Sequence, residues 1–431
     1  MPDLLRLCTA GHVDDGKSTL IGRLLYDTRS VPDDQLAAVR RASERHADGI
    51  DLSLLTDGLR AEREQGITID VAYRYFSTAR RTFILADTPG HEQYTRNMAT
   101  AASTADVLLL LADARHGVRD QTRHHARIAR RMGVSAFVLA VNKMDLVGFD
   151  EAPFRQIAAS FAELLPDAQR IAIPVSARLG DNVATPSTRM PWFTGATLLE
   201  VMESIHVETA AATAPFRMAV QLVVRPAPDF RGYAGQITSG VVRPGDRVTV
   251  WPAGREARVA RIVTADGDRA EAQAPMSVTL TLFEDLDIGR GDVLASTPMH
   301  SDPRFAATLV WMDEQPAVPG RPYLLKAGTG RVLAEIDRSL ALNEVADAGV
   351  TVARRVAYDS YADSRHTGSF ILIDPATQFT VAAGMVNHPI QGDASATSRM
   401  AVAERLTRVA REAHTDTQAV EAVCRVLEEV L

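Results

Sequence analysis

Close to its N-terminus the sequence carries the run Gly11-His12-Val13-Asp14-Asp15-Gly16-Lys17-Ser18, followed by Thr19. Two glycines separated by four residues precede a lysine and a hydroxyl residue. The glycines let successive backbone N–H groups converge on phosphate oxygens. Lys17 can then reach the terminal phosphates of a nucleotide, and the Ser18 hydroxyl can ligate Mg²⁺. The run therefore predicts a nucleotide phosphate-binding loop, called the P-loop below.

The residues on either side of the P-loop fit this prediction. An apolar run at residues 4–8 precedes it and is typical of a buried strand. Residues 18–26 follow it with leucines at helical spacing, which predicts a helix. The positive N-terminal end of that helix would add to the attraction for phosphate.

Short apolar runs and helical patterns alternate through the first 200 or so residues. Besides residues 4–8, the strand-like runs are 82–86, 107–112, 136–141 and 171–175. Strands alternating with helices indicate an α/β fold whose mostly parallel sheet is covered on both faces.

The pattern changes after a loose Ala-Ala-Ala-Thr-Ala stretch at residues 210–214. Short alternating strands follow, separated by turn residues such as those at 243–246 and 265–268. We expect two small antiparallel β-barrels there, divided near residues 298–303, and then a helical C-terminal tail. The predicted domains are a nucleotide-binding domain at 1–212, β-barrel domain II at 213–299, β-barrel domain III at 300–387 and a helical extension at 388–431.

Charge and composition exclude several classes of protein. The 431 residues include 47 Lys plus Arg and 54 Asp plus Glu, a net charge of −7. That balance argues against a protein whose main task is to coat nucleic acid, because phosphate neutralisation needs a cationic face. No apolar run has the ~18–20 residues needed to cross a bilayer. Two cysteines, Cys8 and Cys424, make no disulfide framework. We therefore expect a cytoplasmic protein with no membrane and no nucleic acid partner.

A second motif indicates which base the nucleotide carries. The run Asn142-Lys143-Met144-Asp145 follows the predicted strand at 136–141. The Asp145 carboxylate can accept from both N1–H and the exocyclic amine of guanine, whereas adenine would oppose it with an acceptor. The Lys143 stem is long enough to pack over the base. At the end of the next strand, Ser176-Ala177-Arg178 could support the base through backbone N–H groups.

Two further segments resemble the switch elements of a nucleotide hydrolase. The run Asp87-Thr88-Pro89-Gly90-His91 follows the predicted strand at 82–86. Asp87 can hold Mg²⁺ through a water, and Gly90 N–H can contact the γ-phosphate. His91 is placed to orient the attacking water. Upstream, Thr68 offers a second protein hydroxyl to Mg²⁺. The predicted metal ligands are therefore Ser18, Thr68 and Asp87, and the predicted catalytic residues are His91 and Lys17.

Lysine usage supports the two nucleotide motifs. Of the 47 basic residues only Lys17, Lys143 and Lys326 are lysine, and two of these three lie inside the motifs. Because arginine is the default cation of this chain, lysine is expected where a guanidinium cannot replace a compact ammonium.

Taken in order, these motifs resemble the translation-factor superfamily of GTPases. The matching runs are Gly-His-Val-Asp-x-Gly-Lys, Gly-Ile-Thr-Ile at 66–69, Asp-Thr-Pro-Gly-His and Asn-Lys-Met-Asp. The resemblance implies GTP and GDP as ligands, with Mg²⁺ as the cofactor bound with GTP.

Longer segments narrow the resemblance to the GTPase-subunit family of bacterial sulfate adenylyltransferases. The segments are residues 13–25, 57–76, 91–100, 190–193 and 229–235. This resemblance implies a GTP hydrolase that drives formation of adenosine 5'-phosphosulfate and pyrophosphate from ATP and sulfate. A smaller partner subunit would bind ATP and sulfate within a hetero-oligomer such as a heterodimer. The chain itself has no His-x-Gly-His and no Ser-Gly-Gly-x-Asp-Ser motif for a second nucleotide.

Two alternatives remain at this stage, because a fold alone does not fix a function. One is an elongation-factor-like GTPase that carries aminoacyl-tRNA, although residues 215–390 intersperse their arginines with many acids. The other is a regulatory nucleotide binder without hydrolysis, which a broken motif would favour, and no motif here is broken. The sequence departs from the sulfate-activating family at His12, where serine is usual, and in the tail after residue 387.

Overall fold

A computed structural model describes residues 3–43, 50–56, 71–89, 95–206, 213–227 and 230–390, together with residues 406, 407, 418 and 420. The chain divides into two compact units, Met1–Glu208 and Thr209–Leu431. The predicted helical tail at 388–431 lies almost entirely outside the described residues.

A six-stranded sheet forms the centre of the first unit, in the order β2-β3-β1-β4-β5-β6. The strands are β1 Asp3–Ala10, β2 Ala72–Ser77, β3 Arg81–Asp87, β4 Val107–Asp113, β5 Ala136–Asn142 and β6 Gln169–Pro174. Neighbouring strands are parallel from β3 across to β6, and only the edge strand β2 is antiparallel to its neighbour. The sheet is therefore mostly parallel, as the sequence predicts.

Helices and short helical turns connect these strands. In the described part of the unit the helices are α1 Lys17–Asp27, α2 Asp33–Ser43, α3 Thr95–Thr104, α4 Asp120–Arg131, α5 Glu151–Leu164 and α6 Leu198–Ser204. Two 3₁₀ turns, Leu52–Leu55 and Met144–Val147, complete them.

The apolar runs of the sequence become the buried centre of the sheet. Every residue of β4 and β5 is buried, as expected for strands covered on both faces. All five strands predicted from apolar runs are confirmed, each to within a few residues at its ends. The predicted helix at residues 18–26 is confirmed as α1. Strand β2 was not predicted.

The second unit begins with a closed antiparallel barrel. Its six barrel strands run in the order β11-β16-β7-β9-β15-β12, and β11 pairs with β12 to close the ring. The strands of this region are β7 Arg217–Ala219, β8 Leu222–Val224, β9 Gly232–Ser239, β10 Val241–Val242, β11 Arg247–Trp251, β12 Arg255–Thr264, β13 Gly267–Arg269, β14 Ala272–Gln273, β15 Ser277–Leu282 and β16 Val293–Ala295.

A second closed barrel follows, with the order β17-β20-β19-β18-β21-β22. Its strands are β17 Arg304–Trp311, β18 Tyr323–Ala327, β19 Gly330–Ile336, β20 Val345–Val352, β21 Ser369–Ile373 and β22 Thr380–Pro389. The segment between β16 and β17 connects the two barrels along the chain, and it contains residues 298–303, where the sequence predicts the division. The prediction of two antiparallel barrels is confirmed.

Each barrel has its own apolar core. The first is packed around Tyr233, Ile237 and Leu280, and the second around Trp311, Tyr323 and Phe305, all at most 2% exposed. No helix in the described part of the chain is both long and apolar enough to span a membrane.

Candidate nucleotide-binding site

The predicted site residues gather at one edge of the sheet. The P-loop follows β1, Asp87 ends β3, Asn142 ends β5, and the 176–178 segment follows β6. Because β1, β3, β5 and β6 all run in the same direction, their carboxyl ends meet at this edge, where open α/β sheets bind ligands. The structure therefore brings together the phosphate, metal and base residues that the sequence suggested separately.

The P-loop turns into α1 through Gly16. Its φ of 89° lies in the left-handed region, which favours glycine. A Cβ atom on Gly16 would lie 2.5 Å from Nδ2 of Asn142. Gly11 is less constrained, since its Cβ would lie 3.0 Å from the carbonyl oxygen of Leu111. Gly16 is thus required both by its backbone angle and by the close approach of Asn142.

Lys17 is held inside the P-loop by the loop's own backbone. Its Nζ donates to the carbonyl oxygens of Gly11 and His12, each at 3.3 Å. The side chain is buried, which lowers the pKa of Lys17, and the negative charges of Asp87 and Asp15 act in the opposite direction. The ammonium therefore lies at the phosphate cradle in a setting where solvent screens it little.

Asp15 fastens the entry of the P-loop. Its Oδ2 accepts from the backbone N–H of His12 at 2.8 Å. Burial raises the pKa of Asp15, while that hydrogen bond lowers it. The His12 ring contacts two groups: its Nδ1 lies 2.9 Å from Nη1 of Arg119 and 2.5 Å from the carbonyl oxygen of Val13. His12, the departure from the family pattern, is thus paired with an arginine at the start of α4.

Asn142 joins the phosphate side of the site to the base side. Its Nδ2 donates to the carbonyl oxygen of Asp15 at 2.8 Å. Its Oδ1 accepts from the backbone N–H of Ala177 at 2.9 Å. Both halves of one buried amide are used, so the P-loop and the 176–178 segment are held at a fixed separation.

The residues predicted to read the base are arranged around the end of β6. Asp145 Oδ1 accepts from the Ser176 hydroxyl at 2.7 Å, which orients the carboxylate. Met144 is fully buried, and its N–H donates to the carbonyl oxygen of Val175 at 3.2 Å. Lys143 has a left-handed φ of 64°. Its Nζ donates to the carbonyl oxygen of Asp14 in the P-loop.

Arg23 on α1 also contacts the 176–178 segment, and the sequence analysis did not single it out. Its Nε donates to the carbonyl oxygen of Ala177 at 3.0 Å, and its Nη2 donates to that of Arg178 at 2.6 Å. Asp27, one turn later, lies 3.6 Å from Nη1 of Arg23. Helix α1 therefore contacts the 176–178 segment as well as following directly from the P-loop.

The Asp87 segment is tied to β1. Asp87 is 3% exposed, and its Oδ1 accepts from the Thr9 hydroxyl at 3.1 Å. The hydroxyl of Thr88 donates to the carbonyl oxygen of Thr9. The backbone N–H of Thr88 also donates to the Thr9 hydroxyl at 3.4 Å. Thr9 thus makes three hydrogen bonds to the segment, although as a lone threonine at a strand end it gave no sequence signal.

Three predicted site residues lie outside the described residues: Thr68, Gly90 and His91. Among the residues that the structure describes, no three His, Cys, Asp or Glu side chains cluster as a metal site. The other predicted GTP-binding residues are all described, namely Gly11, His12, Val13, Asp14, Asp15, Gly16, Lys17, Ser18, Thr19, Asp87, Thr88, Pro89, Asn142, Lys143, Met144, Asp145, Ser176, Ala177 and Arg178.

Two family models match the chain. Residues 2–218 match the elongation factor Tu GTP-binding domain, and residues 328–387 match the C-terminal domain-like region of GTP-eEF1A. The first match covers about half of the chain and includes every predicted site residue.

The chain is similar over most of its length to curated proteins that are about half identical to it. Sulfate adenylyltransferase subunit 1 of Laribacter hongkongensis is 50% identical over 410 residues, 89% of this chain and 85% of that protein. The protein of the same name from Citrobacter koseri is 49% identical over 420 residues, covering 92% and 88%. The bifunctional enzyme NodQ of a Rhizobium strain is 50% identical over 413 residues, 90% of this chain; the chain spans 64% of that longer protein.

Proposed function

The chain belongs to the family of sulfate adenylyltransferase subunit 1 proteins, whose GTP-binding domain is of the elongation factor Tu type, and from this premise we propose that it is the GTPase subunit of a sulfate-activating enzyme. GTP hydrolysis on this subunit drives ATP and sulfate towards adenosine 5'-phosphosulfate and pyrophosphate. A cytoplasmic location fits this role.

The observation that carries the GTP site is the double use of the Asn142 amide. It holds Asp15 of the P-loop and Ala177 of the base loop at once, with contacts of 2.8 and 2.9 Å. The P-loop, with Lys17 at its centre, receives the phosphates. Asp145, oriented by Ser176, accepts from the guanine N1–H and amine. This arrangement supports binding of GTP and GDP in preference to adenine nucleotides.

Residues of the site also suit Mg²⁺ bound with the nucleotide. The cation takes hard oxygen ligands and keeps several waters, so few protein ligands are needed. Ser18 in the first turn of α1 and Asp87 at the end of β3 offer a hydroxyl and a buried carboxylate. We assign these two, together with Thr68, as the residues that hold Mg²⁺, which would neutralise phosphate charge. His91 orients the attacking water in this proposal, and Lys17 stabilises charge on the phosphates.

The name subunit 1 implies a partner subunit. We propose that the partner is smaller and carries the adenylyl transfer, since this chain has one nucleotide motif set and uses it for guanine. In that reaction a sulfate oxygen attacks the α-phosphorus of ATP and pyrophosphate leaves. GTP can drive the step only if the partner interacts differently with the GTP and GDP states, because a ligand that binds two states equally shifts neither.

The elongation-factor-like alternative gains no specific support. A carrier of aminoacyl-tRNA shares the GTP-binding domain, but the half-identical relatives that cover most of the chain are named for sulfate adenylyl transfer.

The decisive experiment reconstitutes the reaction with the partner. The chain is co-purified from its host, and pyrophosphate release is measured with ATP and sulfate, in the presence and absence of GTP. We expect a smaller ATP-using subunit to accompany the chain and GTP to raise the yield. Lys17→Ala should abolish the GTP effect, because the variant loses the ammonium that binds the phosphates. Lys326→Ala, which removes a lysine of the second barrel, is the matched control.

The outcomes separate clearly. Loss of the GTP effect in Lys17→Ala alone supports the proposal. GTP affinity of Lys17→Ala within a few-fold of the unchanged chain would contradict the P-loop assignment. Pyrophosphate release that ignores GTP while GTP still binds would refute the coupling and leave the nucleotide site intact.

A further inference from the structure

Asp113 is a buried carboxylate at the end of β4 that neither nucleotide motif contains. Its side chain is only 2% exposed. Oδ1 accepts from the backbone N–H of Arg115 at 2.9 Å and from Nε of the same residue at 3.0 Å. Oδ2 accepts from Nη2 of Arg115 at 2.7 Å. The carboxylate is therefore oriented on one side by a bidentate guanidinium.

The other partner of this carboxylate is the lysine of the guanine motif. Nζ of Lys143 lies 3.1 Å from Oδ2 of Asp113, and it also donates to the carbonyl oxygen of Asp14. The ammonium is thus fastened at two points, one on β4 and one on the P-loop. The backbone of Lys143 directly follows β5, so its methylene stem joins the end of that strand to the two groups that hold the ammonium.

The neighbouring cations keep the Asp113 carboxyl group ionised. Burial works to raise the pKa of Asp113, but the hydrogen bonds from Arg115 and Lys143 outweigh it, and the pKa lies well below its usual range. The carboxylate therefore stays ionised at any working pH. It is the anion between two cations, with a third basic group, His116 Nδ1, at 3.6 Å. Without it, Lys143 and Arg115 would repel one another.

We propose that Asp113 is a positioning residue for guanine nucleotides, acting through Lys143. It holds the Lys143 ammonium against the P-loop, so that the stem lies ready to pack over the base before the ligand arrives. Asp113 does not touch the nucleotide. The inference rests on the proposed GTP site and extends it to a residue outside the recognised motifs.

A double-mutant cycle on GDP release tests the pairing. Asp113→Asn keeps the size of the side chain and removes its charge, and Lys143→Met keeps the stem and removes the ammonium. We expect each single change to speed GDP release at least about tenfold. The double variant should release GDP within about twofold of Lys143→Met, because the pair is already broken. If the increases in release rate of the two single variants add up in the double variant, the proposal is wrong. It is also wrong if Asp113→Asn releases GDP at the rate of the unchanged chain.

Arg115→Met is the matched control. It removes the other cation from the same carboxylate, at a side chain that is 43% exposed, and leaves Lys143 paired. We expect release within about threefold of the unchanged chain. If Arg115→Met equals Asp113→Asn, the carboxylate acts as a general support of this loop, and the proposal is wrong.

A second measurement does not depend on the folding of a variant at position 113. The chain has three lysines, so selective ¹³Cε-lysine labelling gives three NMR signals, and Lys143→Met identifies one of them. In the nucleotide-free protein, we expect the Lys143 signal to relax rapidly and give a broad line, as an ordered side chain does. A mobile, solvent-like Lys143 would overturn the proposal. If the unchanged chain fails to bind GDP, the proposed function fails instead.

Discussion

Position 16 needs a residue that adopts a left-handed φ and has no Cβ atom, and only glycine satisfies both conditions. Its φ of 89° is left-handed, and a Cβ there would overlap the Asn142 amide at 2.5 Å. Asn142 in turn contacts both the P-loop, at Asp15, and the 176–178 segment, at Ala177. At the scale of single residues, the absence of a side chain at position 16 is what allows the amide to reach the P-loop.

Replacing Gly16 by alanine tests this double requirement. Gly16→Ala should weaken GDP binding about 100-fold or more, since Asn142 must move away from the P-loop. Gly148→Ala is the control, because Gly148 also has a positive φ of 64° but no atom lies within 4 Å of its added Cβ. The control should lose only about 1–2 kcal/mol of stability to backbone strain and keep its GDP affinity. GDP titration and thermal unfolding give both quantities. Equal GDP affinity in the two variants would refute the steric argument.

Asp145 carries the prediction on base choice. Asp145→Asn replaces two acceptors with an acceptor and a donor, which suits the extra carbonyl of xanthine. We expect GDP affinity to fall and xanthosine diphosphate affinity to rise, measured by competition. Asp150→Asn, at the N-cap of α5 where its Oδ1 accepts from Ala152 N–H, should leave base preference unchanged. A base preference that does not move in Asp145→Asn would remove this residue from the reading of guanine.

The motif residues could be predicted from the sequence because their spacing is local. Lys17 and Asp145 belong to runs whose chemistry can be recognised within a few positions. Arg23 and Asp113 could not be found in this way, because their partners Ala177 and Lys143 are distant in sequence. One signal existed for Asp113: it ends a buried parallel strand, and such ends meet at the ligand edge of the sheet.

Among the helices, α4 buries an ionisable residue beside the P-loop. His125 is 1% exposed, and burial, together with the charges of Lys17, His124 and His12, lowers its pKa to about 3. The other buried residues of this helix are Thr122, Ala126, Ile128 and Ala129. The imidazole is therefore neutral in the folded domain at any pH above about 3.

This burial predicts an acid sensitivity with a definite sign. An unfolded histidine takes up a proton near pH 6.5, but His125 in the folded state resists it down to about 3. Between these values the unfolded state binds more protons, so the free energy of unfolding falls as pH falls, by about 1.4 kcal/mol per pH unit from this group. His125→Leu should flatten that slope in denaturant titrations from pH 7 to 4. His116→Gln, at an exposed histidine, should keep it, and equal slopes in His125→Leu and the unchanged chain would contradict the assignment.

Strand β2 shows where element prediction failed. The five other strands of the sheet were found because each contains a run made mainly of apolar residues. In β2, exposed Tyr73 and Tyr75 alternate with half-buried Arg74 and buried Phe76, and within the described part of the chain the strand pairs with β3 alone. An edge strand with one exposed face lacks the continuous apolar signal of a strand buried on both faces. The mostly parallel sheet could be predicted, but its antiparallel edge could not.

At the scale of the whole molecule, a largely buried ion pair connects the two barrels of the second unit. Arg217 of β7 donates through Nε and Nη2 to Asp359, at 3.0 and 3.1 Å. Both side chains are at most 13% exposed. Thr367 donates to the same carboxylate at 2.6 Å. A separate contact, from the Thr329 hydroxyl to the carbonyl oxygen of Val220 at 2.7 Å, also links the barrels.

We expect Arg217→Met to destabilise the barrels by about 3–5 kcal/mol, because Asp359 is left as a buried charge with its main partner removed. We expect the two barrels to unfold in one thermal transition in the unchanged chain and in two transitions in the variant. Arg261→Met breaks an ion pair with Asp268 in which both side chains are about half exposed, and should change little. Calorimetry distinguishes these cases. A single transition at an unchanged temperature in Arg217→Met would show that the Arg217–Asp359 ion pair does not couple the barrels.

The order of domains followed from the change in sequence pattern near residue 213, because each fold class has its own period of apolar residues. The ion pair between the barrels could not be predicted, since Arg217 and Asp359 are 142 positions apart and each looks like an ordinary surface charge. Two-barrel architecture could be predicted from local patterns, whereas the way the barrels contact each other needed the structure.

The Asn142 amide has a thermodynamic consequence for partial ligands. The amide already spans both loops when no ligand is bound. Neither guanosine nor pyrophosphate therefore has to order the loop that it does not contact, and a first fragment leaves little entropy for a second one to save. The nucleoside and the inorganic anion should bind this protein with little cooperativity between them.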